Sequence, residues 1–487
     1  MTYDLLIIGG GINGCAIARE AALNGWSVLL VEKDDLAGHT SSASTKLIHG
    51  GLRYLETYEF GMVRKALQER GLLLAMAPHI IRPLRLVLPH INAIRPWWLV
   101  RCGLLIYDFL AGIPHLPIAR GLQKSDAAFQ APLKGPMRGF VYSDCAVDDA
   151  RLTILNAVDA AQAGATILTR TGFVSAKAEG AAWQVSLSDG QSVSAKAVIN
   201  AAGPWVSLTE GQMGLGHRKP MKLVRGSHIV VPRLYEGDHA YMLQQADKRI
   251  IFVINWAHDT TMIGTTEENV TRPEDEQISD AETRYLLEAV NAQFAHQSTE
   301  AEIVYRWGGI RPLVDNGAAD ARQTTRDYVL ETTRDPAPSL TVYGGKITTA
   351  RYLAEDAVKH IAPLLGKTAQ PASRIRPFPG GDIGADFIAS AAALWPFLGN
   401  ERAQRMGHAY GSLITELIGD AKDEAGLGQD LGAGLTAREV DWLIAREWAQ
   451  TADDILWRRT KLGLVATPAD VTKLTHYLEE KANAARH

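Results

Sequence analysis

Three glycines at positions 9, 11 and 14 and a carboxylate at Glu32 are the first residues whose spacing specifies a chemistry. Gly9-Gly10-Gly11-Ile12-Asn13-Gly14 fits G-x-G-x-x-G. In that pattern the first glycine makes a tight turn, the second lets a pyrophosphate approach the backbone, and the third lets a helix pack close to a strand. A helix starting there turns free N–H groups and the positive end of its dipole toward the phosphates. Glu32 follows about 20 residues on, where a carboxylate accepts hydrogen bonds from an adenosine ribose. Its charge disfavours a ligand carrying a 2′-phosphate. Taken alone, the glycines also describe a tight turn in some other α/β protein.

The flanking segments supply the elements that must position this loop. Asp4 to Ile8 reads as a buried parallel strand, Ala16 to Leu23 as a helix, and Ser27 to Val31 as a second strand ending at Glu32. The complete strand–turn–helix–strand unit predicts dinucleotide binding and leaves NAD and FAD open. Thr40 to Leu55 follows, dense in hydroxyls (Thr40, Ser41, Ser42, Ser44, Thr45), then in glycines (Gly50, Gly51), with Lys46, His49 and Arg53 among them. Hydroxyls and exposed backbone N–H groups of this kind contact phosphates and a flavin. An ordinary Ser/Gly-rich surface loop shares the composition.

The bulk properties bound these readings. A chain of 487 residues exceeds what one hydrophobic core supports and predicts two or three domains. With 46% hydrophobic and 21% charged residues it is a globular composition, and a net charge of −4 argues against nucleic acid as a partner. Cys15, Cys102 and Cys145 are too few and too dispersed for a disulfide framework, and a reducing cytoplasm is the expected setting. A strand begins almost at once, so no secretory signal is expected. The apolar run from Trp97 to Ile113 is broken by Arg101 and Asp108, short of the roughly 20 apolar residues of a membrane span.

The run Thr40 to Leu55, with its Ser-Ser-Ala-Ser core and Lys-Leu-Ile-His-Gly-Gly-Leu-Arg-Tyr-Leu ending, resembles the FAD-dependent glycerol-3-phosphate dehydrogenases of the respiratory type. Further blocks agree in order along the chain: Tyr142 to Cys145, Val147 to Leu152, Asn200 to Val206, Lys222 to Pro232, Gly309 to Leu313, Thr325 to Tyr328, Gly344 to Thr349, and Trp457 to Lys461. Two positions depart from the family pattern, Asn255 in place of proline and Glu267 in place of aspartate.

The resemblance implies a mixed α/β fold. Residues 1–75, 146–222 and 336–376 would build a Rossmann-like FAD-binding domain, 76–145 a mixed segment that includes a membrane-contacting stretch, 223–335 an antiparallel substrate-binding sheet, and 377–487 a helical C-terminal domain used in dimerisation. It implies FAD held by Gly9, Gly11, Asn13, Gly14, Glu32, Lys33, Thr40, Ser41, Ser42, Ser44, Lys46, Leu47, His49, Gly50, Gly51, Val174, Ala202, Gly203, Gly345, Lys346, Thr348 and Thr349, and no metal. The reaction implied moves a hydride from C2 of glycerol 3-phosphate to flavin N5 while a base takes the hydroxyl proton, giving dihydroxyacetone phosphate. Flavin supplies the redox chemistry and protein supplies position and charge.

On that reading His228 is the first candidate for the base, because an imidazole titrates near the working pH. Arg53, Arg311 and Arg326, with the Tyr54 hydroxyl, are the candidates for the phosphate, since guanidinium offers planar, multi-donor geometry. Arg311 is an alternative candidate for orienting the substrate hydroxyl over the flavin. Gly344 to Ala350, between a strand at Ser339–Tyr343 and a helix at Arg351–Ile361, frees N–H groups where charge develops on a reduced flavin, and Lys346 adds a full positive charge there.

Arg95 through Leu110 mixes aromatic, aliphatic and basic residues, which suits either an interfacial element or a helix buried under a domain contact. The resemblance implies peripheral attachment to the cytoplasmic side of the inner membrane and electron delivery to quinone. An oxygen-reducing glycerol-phosphate oxidase keeps the same fold, and the glycine and sarcosine oxidases use it for amines; the arginine set speaks against the latter. Beyond Pro379-Gly380-Gly381 the chain reads as helical, with Val440, Leu443, Ile444 and Trp448 on one apolar stripe.

Overall fold

The computed structural model describes residues 2–91, 95–112, 116–135, 138–216, 219–315 and 327–484. Its first sheet grows from the glycine-loop unit. Strand Thr2–Ile8 pairs in parallel with Val28–Val31 on one side and Ser192–Asn200 on the other. Thr166–Leu168 and Ser339–Tyr343 extend the sheet, and Val329–Thr333 closes one edge antiparallel. Strands buried on both faces read as near-continuous apolar runs, and Leu5, Leu6 and Ile7 are fully buried.

Helix Ile12–Leu23 packs on one face between helices Asp149–Gln162 and Ala350–Ile361. Its buried residues include Ala16, Ala18, Ala21 and Ala22, small side chains that admit three neighbours at close range. Helix Asp149–Gln162 starts where the Asp148 carboxylate accepts the Arg151 backbone N–H at 3.0 Å, satisfying one of the donors every helix start leaves open. The strand at Ser339–Tyr343 stands where the sequence placed it, parallel to Ser192–Asn200.

The second sheet is mostly antiparallel and runs Glu268–Val270, Met221–Pro232, Thr260–Gly264, Ile250–Asn255, Ala240–Gln244, Ile81–Pro89, Gly139–Val147 and Leu47–Ile48, with Tyr305–Val314 also paired to Met221–Pro232. This sheet therefore draws strands from outside the span 223–335 expected for it. Two of its strands, Ile81–Pro89 and Gly139–Val147, come from the segment 76–145, and Ala240–Gln244 joins the first of them in parallel. Helix Trp97–Leu110 packs Val100, Leu104 and Tyr107 against this sheet and leaves Trp98, Leu105 and Phe109 exposed.

From residue 387 the chain is mainly helical with its own core, and it adds a two-stranded ribbon, Asp430–Gly432 with Leu435–Thr436, that the sequence did not announce. Val440 and Leu443 lie in that core, whereas Trp448 packs against the core of the first domain. Asn255 ends its strand in a fixed network: its amide donates to the Tyr235 and Gly237 carbonyls at 2.9 Å each and accepts the Thr261 hydroxyl at 2.8 Å. Cys15, Cys102 and Cys145 are all free thiols.

Candidate active site

The glycine loop is shaped by contact as well as by conformation. Gly9 has φ +109°, a left-handed value, and a Cβ there would meet the Ala201 carbonyl oxygen at 2.6 Å. A Cβ on Gly14 would meet the Gly9 oxygen at 1.9 Å, so only glycine lets the helix start this close to the strand. The Ile12 N–H at the helix start donates to Ser41 Oγ at 2.9 Å, which fastens the hydroxyl loop to the glycine loop. Glu32 Oε2 accepts the Gly10 N–H at 2.6 Å and Oε1 accepts the Asp34 N–H at 2.8 Å. Burial pushes its carboxyl up from the ordinary range, and these N–H groups oppose that.

One large cavity runs from this loop to the second sheet. Gly9, Gly11, Asn13, Glu32, Lys33, Thr40, Ser41, Ser44, Leu47, Ala202 and Gly203 line it. His49, Gly50, Gly51, Arg53, Tyr54, Arg311, Gly345, Lys346 and Thr348 line it too, as do Thr265, Glu267 and Phe252. The chain thus brings glycine loop and cations to one space from segments more than 300 residues apart. Asn13 makes the join explicit, donating its amide to the Gly344 carbonyl at 3.0 Å.

The cations are held by distinct means. Arg311 Nη2 donates to Thr265 Oγ1 at 3.1 Å, across a spot where any Cβ on Gly226 would meet the guanidinium at 2.4 Å. Arg53 Nη1 stands 3.9 Å from Glu267 Oε1. Lys346 Nζ lies 4.1 Å from the centre of the Tyr54 ring and 3.2 Å from Met62 Sδ. His49 sits beside Lys346 with its ring edge-on to Phe252, and burial followed by the charges of Lys346 and Arg70 pushes its pKa down to about 4.

Several expected contacts are not at the wall. His228 is buried behind it: its Nε2 is 3.1 Å from Thr45 Oγ1, and Thr45 is the residue that meets the cavity. Its ring stacks on Trp307 at 5.1 Å and fills the space opposite Gly264, where a Cβ would meet it at 2.0 Å. Burial, then Lys46 and Arg311, hold it well below the usual histidine range. Lys46 is turned inward, its Nζ donating to both carboxylate oxygens of Asp149 at 2.8 and 3.0 Å. Ser42 donates to the His39 carbonyl, Thr349 is buried at the start of its helix, and Gly14 packs rather than lines. The Val174 side chain faces solvent, and its neighbour Phe173 lines the cavity instead. Arg326 lies outside the described residues.

Other site residues carried no sequence signal of their own. Glu267 stood out only as a departure from a pattern, yet it faces the cavity. Asp149, inside the quoted block Val147 to Leu152, takes Ser44 N–H at 3.2 Å, Ser44 Oγ at 2.7 Å and Lys46. Tyr107, in the apolar run, accepts the Gly50 N–H at 2.8 Å and donates to Asp144, so it braces the Gly50-Gly51 turn.

The groups present fit a flavin dinucleotide: a glycine turn with no room for a Cβ at Gly9 or Gly14, the Glu32 carboxylate on the cavity wall, and a buried Asn13 Oδ1 acceptor with no partner among the described residues. The comparisons with known proteins agree. Residues 4–351 match the model of the FAD dependent oxidoreductases, and residues 372–483 match the C-terminal domain of alpha-glycerophosphate oxidase. The chain belongs to the FAD-dependent oxidoreductase family.

Within that family the chain is 48% identical to a glycerol-3-phosphate dehydrogenase of Pseudomonas aeruginosa, over 98% of its own length and 95% of the relative's. It is 45% identical to a D-erythritol 1-phosphate dehydrogenase of Brucella abortus over 96% of each chain. Among solved structures it resembles the glycerol-3-phosphate dehydrogenase from Bacillus halodurans complexed with FAD, with a TM-score of 0.75 and 25% identity, covering 99% of this chain and 90% of that one. The overall fold is shared with that neighbour.

Proposed function

We propose that this enzyme oxidises sn-glycerol 3-phosphate to dihydroxyacetone phosphate. One observation carries the reading: the cavity lined by the dinucleotide cradle is lined also by Arg53, Tyr54, Arg311 and Lys346, a set of donors suited to a phosphate dianion and an adjacent hydroxyl. Bound FAD supplies the two-electron acceptor. Arg53 and Tyr54 hold the phosphate, and Arg311, fixed on Thr265, orients the reacting carbinol. Lys346 places positive charge where negative charge grows as electrons leave the substrate.

The proton of the C2 hydroxyl needs a neutral acceptor on the wall. His49 meets both conditions, since it lines the cavity and is uncharged at neutral pH. His228 does not line the cavity and reaches it only through the Thr45 hydroxyl, so it is placed to hold Thr45 in position. Adding glycerol 3-phosphate anaerobically is expected to bleach the flavin absorbance; unchanged absorbance sinks the substrate assignment.

A second substrate has a specific argument, because the four-carbon D-erythritol 1-phosphate belongs to a relative 45% identical along nearly the whole chain. The same titration with that polyol phosphate ranks the two by the rate of bleaching. For the acceptor we propose a membrane quinone. Among the described residues no helix is long and apolar enough to cross a bilayer, but Trp97–Leu110 leaves Trp98 64%, Leu105 51% and Phe109 82% exposed on one element. An apolar face of this kind beds at the headgroup boundary. Liposome flotation with and without Phe109→Ser, combined with quinone reduction and a peroxide assay, tests membrane contact and separates quinone from oxygen.

A further inference from the structure

The turn after Glu32 has two sides. On the inner side Lys33, Ala37 and Gly38 line the cofactor cavity, and Ala37 N–H donates to the Gly10 carbonyl at 3.1 Å. On the outer side the Asp35 carboxylate is buried and receives Arg458 Nε and both Nη groups of Arg459, the second at 2.9 Å. Arg459 is fully buried, and its Nη2 also donates to the Glu447 carbonyl at 2.6 Å. All three of these partners belong to the C-terminal domain.

The same segment reaches the turn by a second path. Arg458 donates to Asp454 at 2.5 Å, and Asp454 accepts Arg170 Nη2 at 2.9 Å. The backbone of Arg170 in turn donates to the Asp34 carbonyl at 2.9 Å, and that of Thr171 to the Glu32 carbonyl at 2.8 Å. A third path ends at the hydroxyl loop. Lys461 pairs with Asp148, and the adjoining Asp149 holds Ser44 and Lys46. Three routes from residues 454–461 therefore converge on the two loops that line the cofactor cavity.

Buried ion pairs are a costly way to join two domains, because desolvation offsets much of their attraction and apolar packing would serve as well. What they add is fixed geometry. We propose that Asp35, Arg458 and Arg459 are positioning residues for FAD, through which the C-terminal domain sets the shape of the adenosine half of the cofactor site. This rests on FAD as cofactor and is independent of which polyol phosphate is oxidised.

The test is FAD release from the full-length holoenzyme, followed by the recovery of free-flavin fluorescence after dilution, with melting temperature measured in parallel. Arg459→Met and Asp35→Asn are each expected to release FAD about tenfold faster or more, as the loss of one partner in a buried pair implies. The double variant should release it no faster than the faster single, since both break one link. Glu439→Gln is the control: it is equally buried but pairs with Arg405 and Tyr410 inside the C-terminal domain. It should lower the melting temperature and leave FAD release within about twofold of the parent. Parental release from folded Arg459→Met or Asp35→Asn overturns the proposal, and so does equally fast release from the control. If neither buried variant folds, Arg458→Gln, whose side chain is 17% exposed, decides in the same way.

Discussion

Replacing His49 with Asn tests the chemical heart of the proposed reaction. The substitution keeps a polar side chain on the cavity wall but removes the proton acceptor. General-base groups contribute about 10²- to 10⁴-fold, so flavin reduction by glycerol 3-phosphate should slow at least about 100-fold in anaerobic stopped flow, normalised to bound FAD. His228→Asn keeps the cavity wall intact; the hydrogen bond it loses is the one to Thr45 at 3.1 Å. One hydrogen bond of that kind contributes about 1 kcal/mol, roughly fivefold. The pH dependence adds a second reading. Burial and Lys346 hold His49 down at about 4, so the imidazole is neutral across neutral pH and the reduction rate should be flat from pH 6 to 8, falling only in acid. If His228→Asn is the slower variant, or if the parental rate climbs through pH 6.5 to 7.5 and His49→Asn leaves that climb in place, the assignment of the base to His49 is refuted.

Arg53→Ala should raise KM for glycerol 3-phosphate by about 30-fold, equivalent to the roughly 2 kcal/mol lost when one partner of a partly desolvated charge pair is removed. Glu267→Gln should move KM the other way, because it removes a carboxylate standing 3.9 Å from that guanidinium; steady-state kinetics on the pair checks both signs. Tyr107→Phe should lower unfolding stability by about 1 to 3 kcal/mol, measured in urea, because Gly50 N–H and Asp144 both lose a buried partner. His79 is buried, its ring nitrogens have no partner among the described residues, and burial ahead of Arg151 pushes its pKa down to about 3. The unfolded chain takes up that proton near pH 6.5 and the folded one does not, so stability is present above 6.5 and is lost as pH falls toward 3. His79→Phe should abolish about 1.4 kcal/mol of the loss between pH 7.5 and 5.5, read from urea titrations at the two values.

The local unit around Gly9 was legible because its determinants are local. A turn, a helix start and a strand end lie within one βαβ unit, and each glycine answers to a contact a few residues or one strand away. The strand at Ser339–Tyr343 and the helix after it were legible for the same reason. What could not be read was pairing at distance. Ile81–Pro89 looks like any apolar run until Ala240 and Tyr241 come alongside it, some 150 residues later in the chain. The depth of His228 was also invisible, since strand alternation does not say which face meets the cavity, and Thr45 from another domain decides it. Nor does a sequence with 54 acidic and 50 basic side chains disclose that Asp35 finds Arg459 across 424 positions.

Partners, and not residue type, separate the two lysines that the sequence placed in the cofactor site. Lys46 spends its charge on the buried Asp149 carboxylate and on the Ser42 carbonyl, so its work is to hold the hydroxyl loop to the helix behind it. Among the described residues Lys346 meets soft partners, a thioether and an aromatic face. A cation over a ring is stabilised by about 0.5 to 2 kcal/mol, well short of what a fixed carboxylate supplies in a desolvated site, and its field remains directed at whatever anion enters. Burial is the main cause of the low His49 pKa, and the charge of Lys346 adds to it. Substituting methionine at Lys346 should therefore raise the His49 pKa and bring the acid limb of flavin reduction toward neutral pH, while the same change at Lys46 should loosen FAD and leave that limb where it was.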